Sequence, residues 1–221
     1  FPFLGVRFVA VNDCYDTLKC ADGDEMVVSL KNIVNSLFAK DISKKSGTAL
    51  RRKQEKGEFI GSWTPYGYLK SPEDKNHLII DPETAPIVRD IFTWRLEGLG
   101  YDEIAKRLNE QKILCPTMVR FLRGEFKKDS PRTVGTRWVA QTVKNITNNM
   151  VYAGHMAQGK QIRSLCEGIP RKEMERQDWI IVRNTHTPIV DEDTWNRVQR
   201  INSEAKTKNT EKRQLPKTEN L

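Results

Sequence analysis

Apolar residues recur at helical spacing from Met26 to Ile42: Met26, Leu30, Ile33 with Val34, Leu37 with Phe38, then Ile42. From Lys44 to Lys56 the stripe reduces to Leu50, and six basic residues face one acid. The pattern predicts one helix over 26–57, roughly 48 Å long. Its first half suits packing against protein and its second half suits an anionic surface. Asp24 is the expected cap, with Glu25 near the positive end of the helix. Gly57 is the expected stop. Ser46-Gly47-Thr48 are weak helix formers and mark a place for a bend or hinge.

Upstream, Gly5 to Asp13 reads as a buried strand carrying Val6, Phe8, Val9 and Val11. No comparable strand occurs before residue 79, so its partners are expected upstream of Phe1. The chain starts Phe-Pro-Phe without Met and is read as a fragment lacking an N-terminal part. Residues 58–75 read as a linker with Gly61, Pro65, Gly67 and Pro72. Leu78-Ile79-Ile80 is a short strand. Asp81 caps a helix with Pro82 at its first position and Ile87, Val88, Ile91, Phe92 and Leu96 on its apolar face, and Gly98-Leu99-Gly100 stops it. A helix over Tyr101–Gln111, capped by Asp102, buries Ile104, Ala105 and Leu108. Residues 113–135 read as an irregular insertion. Thr136–Asn148 is the next helix, with Trp138, Val139, Val143 and Ile146 inward. Two β segments near 151–158 and 179–183 precede a last helix from Asp191 to about Ala205. The polar tail 206–221 is expected to be disordered. There is no internal repeat.

The net charge of +8 favours a nucleic-acid or anionic partner only where the cations cluster. Cys14, Cys20, Cys115 and Cys166 form no C-x-x-C pair, and His77, His155 and His186 have no ligand spacing with them, so no metal site is expected. They read as reduced thiols of a cytosolic protein. No apolar run approaches the ~20 residues of a membrane span, and no signal peptide is evident.

Two constellations carry chemistry. Lys44, Lys45, Arg51, Arg52, Lys53 and Lys56 suit phosphate contact, which is electrostatic and salt-sensitive; the plain alternative is a solvated helix end. Residues 101–147 read as two parts of a helix-turn-helix split by the insertion. Arg137, Gln141, Thr142, Lys144 and Asn145 would then face outward. Arg, Gln and Asn are the side chains that read base edges in the major groove. The alternative is an amphipathic helix in a small helical domain. Asp13, Asp16, Asp22, Asp24 and Glu25 suggest a metal nuclease only weakly, since no His joins them. No Ser-His-Asp order, P-loop or dinucleotide loop appears.

These residues resemble a known family. Gly5-Val-Arg-Phe-Val-Ala-Val-Asn-Asp13, Asp16-Thr17 and the helix from Met26 resemble the end of the serine recombinase catalytic domain. Ala39-Lys-Asp-Ile-Ser-Lys-Lys45, Gln54-Glu-Lys-Gly-Glu-Phe-Ile-Gly61, Pro65-Tyr-Gly-Tyr68 and Ile80-Asp-Pro82 resemble the large serine recombinases. Trp138, Thr142-Val143, Asn148 and Tyr152-x-Gly154 are similar to their DNA-binding domain. Pro188-Ile-Val-Asp191, Trp195 and Val198 resemble the start of their zinc-bearing domain.

The resemblance implies an α+β, mainly helical protein. Residues 1–57 would be the end of a resolvase-like α/β domain with its long linking helix, and 58–75 a linker. Residues 76–160 would be the recombinase DNA-binding domain, 161–205 the start of the zinc domain, and 206–221 a tail. It further implies cutting and rejoining of DNA through a 5′-phosphoserine without metal or ATP, in a tetramer, as part of a mobile element. The nucleophilic serine, near a Tyr-x-Arg-x-Ser motif, is absent, so the chain is expected to bind double-stranded attachment sites without cleaving them. Lys44 and Lys45 remain as helpers at the scissile phosphate. Any zinc ligands of a full-length parent are expected beyond residue 221. Family members usually carry an apolar and a basic residue where this chain has Ser46-Gly47. The expected setting is the bacterial cytoplasm, at the nucleoid, with no membrane partner. The rival reading is a transcriptional regulator dimerising through the long helix; a third is a structural helical protein with no DNA role.

Overall fold

A computed structural model describes residues 6–7, 9–11, 15–16, 24–125, 137–164 and 168–214, with side chains for all of these except 15, 24, 25 and 206–214. The fold is α+β and mainly helical. It divides into two compact units, one of Phe1–Arg52 with Gln161–Glu173, the other of Lys53–Lys160 with Met174–Leu221.

In the first unit, β1 (Val9–Ala10) pairs antiparallel with β2 (Tyr15–Asp16), and Arg7 Nε donates to Asp16 Oδ1 at 3.0 Å. Of the expected buried strand over 5–13, the described residues show strand at Val9–Ala10 and no buried side chain. Val6, Val9 and Val11 are exposed, because a two-residue ladder with one neighbour cannot cover either face of a strand. Helix α1 (Asp24–Glu55) matches the expected long helix. The expected hinge does not break it: α1 is helical through Ser46–Thr48, and Thr48 Oγ1 donates to Lys44 O at 2.9 Å. The Met26–Ile42 stripe is exposed, Leu30 and Phe38 each by about three fifths. The capping role expected of Asp24 falls on a side chain outside the described residues, as do Asp13 and Asp22. A hairpin of β6 (Gln161–Ser164) and β7 (Ile169–Glu173) completes the unit. It falls where a zinc domain was expected to begin.

The second unit holds the core. Gly57 ends α1 in the left-handed region (φ +77°), with its N–H on Gln54 O and the Glu58 N–H on Lys53 O. The expected linker 58–75 is instead core structure. Phe59, Tyr66 and Tyr68 are buried, and β3 (Tyr68–Lys70) pairs antiparallel with β4 (Leu78–Ile80). Three aromatic side chains bury more apolar area than a surface segment can leave in water. Helix α2 (Ala85–Leu96) starts three residues later than expected, with Pro86 in its first turn. Asp81 shapes the approach: its carboxylate accepts from Glu83 N–H and Thr84 Oγ1. Gly98 stops the chain at φ +95°.

Helix α3 (Tyr101–Glu110) is capped by Glu103, whose Oε2 accepts from Gly100 N–H at 2.6 Å, not by Asp102. The expected irregular insertion contains α4 (Pro116–Leu122); residues 126–136 lie outside the described ones. Helix α5 (Ala140–Thr147) is shorter than expected, and Val139 precedes it as an exposed cap residue instead of facing inward. A 3-10 turn (Met150–Ala153) leads to β5 (Met156–Gln158), which pairs antiparallel with β8 (Ile180–Val182). Asp191 caps α6 (Glu192–Gln214), its Oδ2 accepting from Thr194 N–H at 2.8 Å. The helix runs nine residues into the tail expected to be disordered. Ile189, Val190, Trp195 and Val198 join Val88, Ile91, Ile104, Leu108 and Val143 in one core. Residues 174–205 therefore pack within the same unit. Each such side chain, fully buried, contributes about 1.5–3 kcal/mol.

Candidate nucleic-acid interface

Helix α3 buries Ile104, Ala105 and Leu108, and α5 buries Val143, Ile146 and Thr147. About thirty residues separate the two in sequence, yet one side chain joins them. Asn109, in the last turn of α3, donates from Nδ2 to Trp138 O and accepts the Trp138 N–H on Oδ1, both at 2.9 Å. Trp138 is itself buried, with its Nε1–H on Ile113 O at 3.0 Å and its ring edge-on to Tyr66 at 5.3 Å. The entry to α5 is thereby held on α3 by side-chain hydrogen bonds, independent of the insertion's path.

With that face inward, the opposite face of α5 is exposed. Arg137, Gln141, Lys144 and Asn145 lie on the surface and Thr142 is half-buried. Gln141 Nε2 donates to Asn145 Oδ1 at 2.8 Å, so these two amides form one flat polar surface one helical turn apart.

The cations of α1 are exposed as well, Lys44, Lys45, Arg51 and Arg52 in the first unit and Lys53 in the second, as is Lys56 just past its end. Lys45 Nζ lies 2.7 Å from Asp41 Oδ2, and Lys53 Nζ 3.8 Å from Glu58 Oε2. Neither pairing buries the charge, and exposed pairs of this kind are weak.

The Asp81 carboxyl and the His186 ring serve the packing of the second unit. Burial pushes the Asp81 carboxyl up, but hydrogen bonds from Thr84, Arg123 and Glu83 N–H outweigh it and hold the group below the usual carboxylate range. Arg123 Nη2 reaches both Asp81 (2.7 Å) and Glu83 (2.9 Å), tying α4 to the start of α2. Burial pushes the His186 pKa down, against the opposing effect of its hydrogen bond to Val151 O. Its Nε2 must carry a proton to donate to that carbonyl at 2.8 Å, which leaves Nδ1 to accept from Thr185 Oγ1 at 2.8 Å. Among the described residues no group of three or more His, Cys, Asp or Glu side chains is placed to hold a metal, and Cys115 is buried. None of the described helices is long and apolar enough to cross a membrane.

A family model described as Recombinase matches residues 82–205, more than half of the chain. The chain belongs to the recombinase family. No curated protein matches it. Two solved structures are similar to it. One is a crystal structure of an LSR–DNA complex, with 18% identity and a TM-score of 0.47, covering 73% of this chain and 38% of that one. The other comes from work on the sequence requirements of the Listeria innocua prophage attP site, with 19% identity and a TM-score of 0.45, covering 72% of this chain and 51% of that one. The chain thus spans about half or less of the length of each. Matched residues 82–205 include α3, α5 and the Asn109–Trp138 link.

Sequence reasoning found the outward residues of α5 but missed Asn109, whose type at a helix end carries no signal of a distant partner. It also missed the β6–β7 hairpin, whose mixed polar sequence lacks a clear alternation.

Proposed function

We propose that this chain is the DNA-binding part of a large serine recombinase of a mobile element. The carrying observation is α5: its entry is fixed on α3 through Trp138 and Asn109, its outer face offers Gln141, Lys144 and Asn145, and Arg137 is exposed just before it. Family membership supports the reading. In it, α5 enters the major groove of a double-stranded attachment site. Gln141 and Asn145 read base edges, Thr142 adds a hydroxyl contact, and Arg137 and Lys144 supply phosphate or guanine contacts. Lys44, Lys45, Arg51, Arg52, Lys53 and Lys56 hold the sugar–phosphate backbone, with Lys44 and Lys45 nearest the scissile phosphate. The exposed Met26–Ile42 stripe would be covered in a dimer or tetramer.

In such recombinases a serine attacks the phosphodiester. The 221 residues contain no Tyr-x-Arg-x-Ser segment, so this chain is proposed to bind without cleaving, with no cofactor, in the cytoplasm of a bacterium. A covalent adduct with supercoiled target DNA would overturn that part.

The test of the α5 reading is selection of bound sequences from a random duplex pool. Gln141→Ala and Asn145→Ala should relax the selected sequence at one or two positions. Arg137→Gln and Lys144→Gln should weaken binding more evenly across sequences. An unchanged selected sequence in all four variants would refute it.

A further inference from the structure

In the first unit one cleft of about 790 Å³ is lined from two distant stretches of sequence, α1 and strand β6. Helix α1 brings Lys40, Lys44 and Arg51, and the hairpin brings Arg163. Lys40, Lys44, Gly47 and Arg51 fall at positions i, i+4, i+7 and i+11, which share one helix face. The acid in the lining, Asp41, is already matched by Lys45 at 2.7 Å. Cations gathered around one concave place focus their field on an entering anion.

Gly47 sits in the middle of this row. A glycine inside a helix is the poorest choice short of proline, and no packing demand explains it, since a Cβ there would meet nothing within 4 Å. Its effect is a notch in the cationic face, where a backbone or ligand can approach closely.

We propose that this cleft grips the phosphate backbone of one DNA strand, with the β6–β7 hairpin as a second jaw beside α1. Arg163 contacts phosphate from the hairpin and Lys40, Lys44 and Arg51 from the helix, while Gly47 gives the strand room. The proposal rests on the reading of this chain as DNA-binding and adds the hairpin to the contact surface.

The test uses the full chain and a labelled duplex of random sequence, titrated by fluorescence anisotropy at several salt concentrations. Arg163→Gln should weaken binding by about tenfold and lower the slope of log affinity against log salt by about one. Gly47→Leu keeps the charge and favours the helix, yet should weaken binding several-fold by filling the notch. Arg171→Gln removes an equal charge from the same hairpin outside the cleft and should change affinity less than about twofold. Circular dichroism confirms that each variant is folded. If the unsubstituted chain binds but Arg163→Gln and Gly47→Leu bind as well as it does, the cleft proposal fails alone. Equal losses in Arg163→Gln and Arg171→Gln also overturn it, leaving only general attraction. If the unsubstituted chain binds no duplex, the DNA-binding reading fails and the cleft with it.

Discussion

Asn109 and Trp138 exchange two hydrogen bonds at 2.9 Å, between an amide side chain and the backbone N–H and C=O of one residue. The geometry is that of a paired-strand contact, made by one side chain. It satisfies the N–H and C=O of a buried residue at the entry to α5, groups that otherwise cost energy to bury. Replacing Asn109 by Ala should lower stability by about 2–3 kcal/mol, because both groups lose their partner. Urea unfolding should show a lower midpoint with unchanged slope. Asn109→Asp should fall between, keeping the acceptor and losing the donor. An Ala variant as stable as the parent would remove the link from the account.

Gly57 and Gly98 both adopt positive φ, at +77° and +95°, but their surroundings differ. A Cβ at Gly57 would lie 2.4 Å from Thr185 Cγ2 and 2.9 Å from Val182 Cγ1, whereas at Gly98 it would meet nothing within 4 Å. Gly98→Ala should cost about 1 kcal/mol, from backbone strain alone. Gly57→Ala should cost about 1–3 kcal/mol more, as overpacking against Thr185 and Val182 adds to strain. Thermal melts of the two variants side by side check the order. Equal losses would mean that β8 and Thr185 shift freely to admit the methyl group.

His186 predicts a pH dependence. It is buried and neutral, donating to Val151 O, and its pKa lies below the ordinary 6.5. The unfolded chain therefore takes up this proton at a higher pH than the folded one. Stability from this group is fully present above about 6.5 and is lost as the pH falls towards the folded value. Asp81 acts lower: its pKa is depressed from 3.8, so its contribution is present above that value and lost only in stronger acid. Urea unfolding at about pH 7.5 and 5.5 isolates the histidine. The parent should lose stability across that interval, and His186→Gln should lose less. Parallel losses would assign the effect elsewhere.

The parts of this fold legible in the sequence are those with local, repeated signals. Helix α1 was readable from Met26, Leu30, Ile33 and Leu37, and α3 from Ile104, Ala105 and Leu108. The outer face of α5 followed from Val143 and Ile146. Legibility failed where tertiary context overrides local pattern. Phe59, Tyr66 and Tyr68 stand among Gly and Pro and read as a linker, yet all three are buried, Tyr66 edge-on to Trp138 and Tyr68 stacked on Tyr152; Tyr68 hydroxyl accepts from Ile189 N–H, 121 positions away. Val6, Val9 and Val11 had the opposite fate, a strand-like run whose described side chains are exposed. The start of α2 slipped because the Asp81 carboxylate and the Gly67–Thr84 hydrogen bond hold a turn where Pro82 suggested a helix.

The same distinction applies to the candidate interface. Its charges could be read from the chain, while Asn109 and the Arg163 side of the cleft arise only when distant segments meet. Arg95 belongs with them. It is a buried cation, donating to Asn202 Oδ1 and Leu99 O with its guanidinium over the Tyr101 ring at 4.6 Å. Arg95→Met should therefore cost about 1–3 kcal/mol through the unpaired Leu99 and Asn202 oxygens and leave DNA affinity unchanged. Unfolding and anisotropy on one preparation separate the two effects, and a loss of affinity without a loss of stability would place Arg95 in the interface.

Exposed cations on α1 and at α5 are proposed above to hold DNA. The most direct measurement is affinity for a duplex as salt rises from about 50 to 200 mM. The account predicts a steep linear fall of log affinity with log salt, with a slope of at least about 4 in magnitude, reflecting several phosphate contacts. A flat dependence, or no binding at the lowest salt, would contradict it.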